Sequence, residues 1–370
     1  MREVLIVVGE TSGDLHAAGL ATALHSLRPE LSLTGVGGAR MDAAGVELLE
    51  RTDRMAVMGF VEVLRQVPHH WELLRRLRAR LRGGRVALLV VIDYPGFNMK
   101  LAAAAREAGV PVLYYITPQV WAWGAGRLAK LARLVTRAAC ILPFEASLLR
   151  EHGVDATFVG HPLLDRAADL PSREAARSLL GLDASRPVLA LFPGSRAQEI
   201  VRHLDDFVTV GRTMQARLHG LQVVVSVAPG VELDAARCPY PAVASSSFAV
   251  LRAADAALCK SGTTTLEAAV AGCPLAVVYR TSKWTYAIAR RVVKIPHIGL
   301  VNVVAGREVA REFVQDAFEP GAVVNYLLPL MDRDSDARRS MLRDLAAVRD
   351  ALGTPGAAGR VARIASDLVP

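Results

Sequence analysis

Apolar residues gather along the chain in short unbroken runs, separated by longer stretches in which they return every third or fourth position. The runs at 4–8, 31–36, 86–92, 110–116, 138–142 and 156–159 read as strands, and 15–27, 99–108 and 128–139 read as amphipathic helices between them. The run at 86–92 is apolar throughout, which marks a strand buried on both faces, as in parallel sheets flanked by helices. A polar stretch, 165–177, follows Gly160-His161-Pro162, and the alternation then resumes at 188–192, 221–227, 256–259 and 275–279. Beyond 319 the spacing is helical only. The pattern predicts an α/β protein of two Rossmann-like doubly wound halves facing a central cleft, with ligands at the C-terminal ends of the strands.

Composition narrows the classes. The 370 residues are 52% hydrophobic and 22% charged, a globular composition. The longest unbroken apolar run, 86–92, is far too short to span a bilayer, and the N-terminal segment MREVLIVVGE lacks the design of a cleaved signal, so a soluble or peripheral protein is expected. Four cysteines without metal-ligand or C-x-x-C spacing indicate neither zinc nor a disulfide framework. A net charge of +8, carried by 39 arginines and 5 lysines, raises nucleic acid or an anionic membrane as partners. No helix-turn-helix, zinc or single-strand-binding pattern accompanies it, and nucleic acid is set aside. No lysine follows a glycine, which excludes the P-loop; Gly35-Val36-Gly37-Gly38-Ala39-Arg40 has arginine in place of the third dinucleotide-binding glycine.

Chemistry concentrates at predicted strand ends. The first strand runs into Gly9-Glu10-Thr11-Ser12-Gly13-Asp14, a turn that presents backbone amides at a helix start. The strand 86–92 runs into Asp93, a carboxylate at the cleft rim suited to proton abstraction, with Asn98 as the expected cap of the next helix. In the second half, Ser195 and Gln198, and again Thr264 and Glu267, stand at capping-box spacing. Arg196, between the first pair, opposes the helix dipole unless an anion is bound there. Glu267 has the chemistry to accept hydrogen bonds from a ribose diol. From 268 to 307 there is no acidic residue but six basic ones, Arg280, Lys283, Arg290, Arg291, Lys294 and Arg307, so a positive field is expected there. The apolar stretch 55–64, followed by Arg65, Arg75, Arg76, Arg78, Arg80, Arg82 and Arg85, has the make-up of an interfacial element for anionic lipid or of a core helix with a basic face. No metal site is expected at His69-His70 or at Asp332-Arg333-Asp334-Ser335-Asp336.

The segments GETSGD (9–14), AVMGFVEVL (56–64), IDYPGFN (92–98), QVWAW (119–123), LPFE (142–145), GHP (160–162), FPGSR (192–196), SGTTTLE (261–267) and VVYR (277–280) together resemble the lipid-A-disaccharide synthase family, in family order over nearly the whole chain. The resemblance implies a GT-B glycosyltransferase with domains at 1–165 (lipid acceptor side) and 166–349 (UDP-sugar side), and a C-terminal helix, 350–370, packing back on the N-terminal domain. It implies an inverting enzyme that joins UDP-2,3-diacylglucosamine to 2,3-diacylglucosamine 1-phosphate (lipid X), forming the β-1′,6-linked disaccharide and UDP. Asp93 and Arg196 would be catalytic. Ser195, Ser261, Gly262, Thr263, Glu267, Arg280 and Asn302 would line the UDP side, and Ser12, Gly13, Asp14, Met58, Trp121 and Trp123 the acceptor side. Val301 stands where the family usually has proline. No metal or cofactor is called for. The implied setting is the cytoplasmic face of a Gram-negative-type inner membrane, with its anionic phospholipid as a partner, and the resemblance leaves room for a homodimer. Another UDP-sugar transferase or an epimerase of the same fold is the alternative.

Overall fold

In the computed structural model, residues 2–370 are described except 53–59, 124–125, 169, 229–230, 232, 245, 283, 285 and 287–294, with side chains also excepted at 11, 60–67 and 122–123. The chain divides into two compact units, Met1–Asp165 with Gly353–Pro370, and Arg166–Leu352.

The first unit is built on seven parallel strands in the order β3-β2-β1-β4-β5-β6-β7. They are β1 (Glu3–Val8), β2 (Ser32–Gly37), β3 (Glu47–Arg51), β4 (Val86–Ile92), β5 (Val112–Tyr115), β6 (Arg137–Cys140) and β7 (Ala156–Phe158). Val4 to Val8 and Leu88 to Ile92 have no exposed surface, because helices cover both faces of the sheet. On one face, Leu5, Val7, Leu89 and Val91 pack with Leu73, Leu77 and Leu101. On the other, Val4, Ile6 and Val90 meet the helix Thr11–Leu27 and the terminal helix Ala357–Leu368 through Leu20, Leu24 and Val361. The C-terminal segment thus completes the core of the first unit.

The second unit has six parallel strands in the order β10-β9-β8-β11-β12-β13: β8 (Val188–Phe192), β9 (Gln222–Ser226), β10 (Ala242–Val243), β11 (Ala256–Lys260), β12 (Leu275–Tyr279) and β13 (Glu312–Val314). At the base of β8 and β11 lies a buried ion pair. The Arg177 guanidinium donates to the Asp255 carboxylate at 2.8 Å and to the carbonyls of Ala184 and Arg186, while Asp255 also accepts from the Val188 amide at 2.9 Å. Each buried charge therefore has several partners, the condition for tolerating burial.

In both sheets strand order reverses at one place: between β1 and β4 in the first, between β8 and β11 in the second. Loops diverge there to opposite faces and leave a crevice at the carboxyl ends of the strands.

His161, after β7, is 4% exposed, and its Nδ1 accepts from the Leu163 amide at 3.1 Å. Burial, with the nearby His16, pushes its pKa down to about 3. Its folded-state value thus lies below the unfolded one of about 6.5, so its contribution is present above that value and is lost as pH falls from 6.5 towards 3. His161→Asn, which keeps an acceptor near the Leu163 amide, is expected to flatten this part of the acid destabilisation. Melting curves of both proteins from pH 7 to 4 check it, and parallel pH dependences would contradict it.

Candidate functional site

Three candidate residues of the first unit, Ser12, Gly13 and Asp93, meet at its strand-order reversal. The loops after β1 and β4 enclose a cavity of about 100 Å³, lined by Gly9, Glu10, Ser12 and Gly13 on one side and by Asp93, Tyr94 and Pro95 on the other. The loop carrying Asp93 is held in an unusual form. Asp93 and Tyr94 both have φ of +48°, a left-handed conformation that costs side-chain-bearing residues on the order of 1–3 kcal/mol. The neighbourhood over-determines it: the Asp93 carbonyl accepts from Asn98 Nδ2 and from the Tyr114 hydroxyl, each at 2.8 Å, and Asn98 Nδ2 also reaches the Ile92 carbonyl at 3.2 Å. Asn98 is therefore not the expected cap. It lies inside the helix Pro95–Glu107, where Tyr94 is the N-cap residue, and it pins the turn from below. The Asp93 side chain stands exposed at the strand end.

Tyr94 forms the cavity wall. Its hydroxyl lies 2.8 Å from His70 Nε2, its ring stacks on Phe97, and burial together with Glu10 raises the phenol pKa. The ring lies against Gly9, where any Cβ would overlap it, so glycine is required at that position.

Asp14 departs from the acceptor-side role expected of it. It is 4% exposed, and its carboxylate accepts from the amides of Gly38 (2.7 Å), Arg40 (3.1 Å) and Met41 (3.2 Å), capping the short helix Ala39–Ala43. Trp121 is half-buried, its indole donating to Glu145 Oε1 at 3.1 Å and meeting Phe144 edge-on. Burial lifts the Glu145 pKa to about 7, against the opposing hydrogen bonds from Trp121 and the Leu142 and Ile141 amides. Met58 and the Trp123 side chain lie outside the described residues, as does most of the expected interfacial stretch 55–64.

In the second unit the loops after β8 and β11 stand side by side, because the two strands pair directly. Neither capping box forms. Arg196 is the N-cap residue of the helix Ala197–Arg217 and Thr263 that of Thr264–Ala271, neither with a side-chain cap. Glu199, one residue beyond the expected Gln198, takes the capping function by accepting from the Ser195 amide at 3.1 Å. Its other oxygen accepts from Lys260 Nζ at 2.7 Å, which ties the two loops together. Burial would raise the Glu199 pKa, but Lys260, the Ser195 amide and the Arg196 charge bring it below the ordinary value. Gly194, at φ +144°, leaves room for the Glu199 side chain that a Cβ would displace. Ser195 and Arg196 are exposed, and the Ser261 hydroxyl donates to the Ile298 carbonyl at 2.7 Å. Gly262, at φ +159°, has open space where a Cβ would stand, and Glu267 is 8% exposed with Arg166 at 3.2 Å.

One expected UDP-side residue, Asn302, is consumed by the fold. Asn302 has no exposed surface. Its amide nitrogen donates to the Ala310 carbonyl (2.7 Å) and Glu312 (2.8 Å), and its oxygen accepts from Val309 (2.7 Å) and Ala310 (2.9 Å), which leaves nothing for a ligand. Arg280 is held by Asp206 and the Phe318 carbonyl and lies over the Phe318 ring. Val301 donates its amide to Thr265 Oγ1 at 3.3 Å, a bond that proline has no N–H to make. Of the basic residues expected to set the local field, Lys283, Arg290, Arg291 and Lys294 lie outside the described residues. Sequence reading missed the Lys260–Glu199 link; the available signal was a lysine closing an otherwise apolar strand.

Two parallel doubly wound units of this kind define the fold class of GT-B glycosyltransferases and related epimerases. The glycosyltransferase of kitacinnamycin superposes with a TM-score of 0.68 at 16% identity, covering 100% of this chain and 99% of that one. A UDP-GlcNAc 2-epimerase from Neisseria meningitidis, solved bound to UDP-GlcNAc, superposes with 0.66 at 11% identity, covering 99% and 100%. At the sequence level, residues 4–351 match the family model described as Lipid-A-disaccharide synthetase. The lipid-A-disaccharide synthases of Syntrophotalea carbinolica (41% identical, 99% of this chain, 95% of the relative) and Anaeromyxobacter sp. strain K (44%, 97% and 96%) align over nearly their full lengths. The chain belongs to the lipid-A-disaccharide synthase family, and is a glycosyltransferase of lipid A disaccharide synthesis acting on a UDP-sugar and a lipid acceptor. Among the described residues no helix is long and apolar enough to cross a membrane.

Proposed function

We propose that the chain transfers 2,3-diacylglucosamine from its UDP derivative to the 6-hydroxyl of 2,3-diacylglucosamine 1-phosphate, with inversion at the anomeric carbon. The observation that carries this reading is the placement of an exposed carboxylate, Asp93, on a strained and braced turn at the strand-order reversal of the first unit, facing the loop 9–13 across one small cavity. Asp93 takes the proton of the acceptor hydroxyl, whose oxygen forms the new bond to the anomeric carbon from the face opposite UDP. The bond to the diphosphate oxygen breaks and its electron pair leaves with UDP. In the second unit Arg196, with the amides of the paired loops after β8 and β11, receives the diphosphate, and Ser195, Ser261, Gly262, Thr263 and Glu267 surround the nucleotide. Lys260 supports this indirectly by fixing Glu199 beneath the Ser195 amide. UDP release followed with and without the acceptor tests the reading: release is expected to require the acceptor, whereas epimerised UDP-sugar formed without it would favour an epimerase.

The surface of the helix Phe60–Arg82 supports a peripheral seat on the inner membrane. Trp71, 58% exposed, shares an outward stripe with Glu72, Arg75, Arg78 and Arg82, in which Arg75 pairs with Glu72 at 2.9 Å and Arg82 with Glu107 at 3.8 Å. The other arginines do not all join it: Arg76 pairs with Glu50 at 3.2 Å and Arg80 with buried Glu3 at 2.6 Å. Each exposed arginine near an anionic leaflet contributes on the order of 1 kcal/mol. Trp71→Ala with Arg75→Glu and Arg78→Glu is expected to abolish flotation with phosphatidylglycerol vesicles. Undiminished flotation would move the membrane surface elsewhere.

A further inference from the structure

A second cavity, of about 330 Å³, opens beside the first, and Pro95 lines both. Its wall carries three cations, Lys100 from the helix Pro95–Glu107 and Arg127 and Lys130 from the helix Gly126–Leu134, over a floor that includes Met99 and Leu131. No carboxylate lines it, and among the described residues none pairs with any of the three. Arg127 stands in the first turn of its helix, where a cation opposes the helix dipole and a bound anion relieves the opposition. Lys100 Nζ also lies over the Trp71 ring, 5.5 Å from its centroid. Three cations converging on a partly apolar hollow that no carboxylate lines suit an anion attached to a hydrophobic body better than a free inorganic ion.

From this we infer that the cavity of Lys100, Arg127 and Lys130 binds the phosphate monoester of the acylated sugar acceptor. The inference rests on the proposed transfer reaction, and the shared wall at Pro95 carries it. In the acceptor's hexose the phosphate is on C1 and the reacting hydroxyl on the CH2 borne by C5, and both carbons flank the ring oxygen, so a phosphate seated beyond Pro95 keeps the hydroxyl within one sugar's width, beside the cavity that Asp93 lines. The cluster therefore both selects a phosphorylated acceptor and sets which hydroxyl meets the base, as acceptor-binding residues with no part in the chemistry.

The test compares the wild-type enzyme with Arg127→Ala/Lys130→Ala and Lys100→Ala, using detergent-dispersed acceptor with and without its phosphate at saturating donor. Loss of these charge-assisted contacts is expected to raise KM for the phosphorylated acceptor about 10- to 100-fold, with KM for the donor unchanged. Wild type should already show the variants' high KM on the phosphate-free acceptor, with no further rise on substitution, and the exchange Arg127→Lys/Lys130→Arg should restore most of the affinity. An equal loss on both acceptors, or a raised donor KM, overturns the inference. So does an unchanged acceptor KM accompanied by lost flotation on phosphatidylglycerol vesicles, which would give the cations to membrane headgroups. Failure of the transfer reading is distinguishable: wild type would release no UDP with either acceptor, while the acceptor's ³¹P chemical shift would still respond to wild type and not to the double variant.

Discussion

Asp93→Asn is expected to lower the rate of disaccharide formation by about 10²- to 10⁴-fold, the usual contribution of a general base. The substitution is chosen for what it leaves alone. The backbone at 93 is left-handed, at φ +48°, a conformation asparagine accepts as readily as aspartate. The bonds from Asn98 and Tyr114 that brace the turn end on the backbone carbonyl, not on the carboxylate. The variant should thus melt with wild type and bind UDP, measured by calorimetry, with wild-type affinity. Near-normal turnover in a folded Asp93→Asn protein would remove Asp93 from the chemistry.

Arg196→Ala carries the second large effect, expected as a loss of about 10²- to 10³-fold in turnover together with roughly tenfold weaker UDP binding. The side chain is exposed at the start of the helix Ala197–Arg217 and makes no side-chain cap there, so no helix cap is lost with it. The Lys260–Glu199 link remains to hold the loop. Calorimetry of UDP binding separates this role from a fold effect, and unchanged affinity would argue against a diphosphate contact.

The central strands were legible in the sequence because helices cover both their faces, so that β1, β4, β8 and β11 read as unbroken apolar runs. The edges were not. β3 (ELLER) is half-exposed with charged ends, β10 is two residues long, and β13 begins with a glutamate that accepts from loop amides at 298 and 299. Edge strands need less apolar surface, and the periodic signal fades with it.

The candidate site was legible in part. Strand ends located GETSGD and Asp93, and likewise Arg196 and Glu267 in the loops after β8 and β11. What spacing did not disclose is which polar group is spent inside the fold. Asp14 and Asn302 have side chains suited to ligands or caps, yet each is occupied by hydrogen bonds within its own unit, and the Asn98 amide nitrogen is given to the carbonyls of Ile92 and Asp93 in the adjacent turn. Capping boxes failed for a related reason: Glu199, one position past the expected partner, faces both the Ser195 amide and Lys260, and that second partner comes from a strand 61 residues away in sequence. The cation at 100 and the pair at 127 and 130 likewise sit on two different helices and converge only in three dimensions.

The most direct test of the account is the structure of the product. Purified protein incubated with UDP-2,3-diacylglucosamine and 2,3-diacylglucosamine 1-phosphate should yield UDP and one tetraacylated disaccharide 1-phosphate, with mass spectrometry giving its composition and NMR giving a β-anomeric coupling and a 1′,6 linkage. An α-linked product, a different linkage position, or consumption of the UDP-sugar without a disaccharide would contradict it.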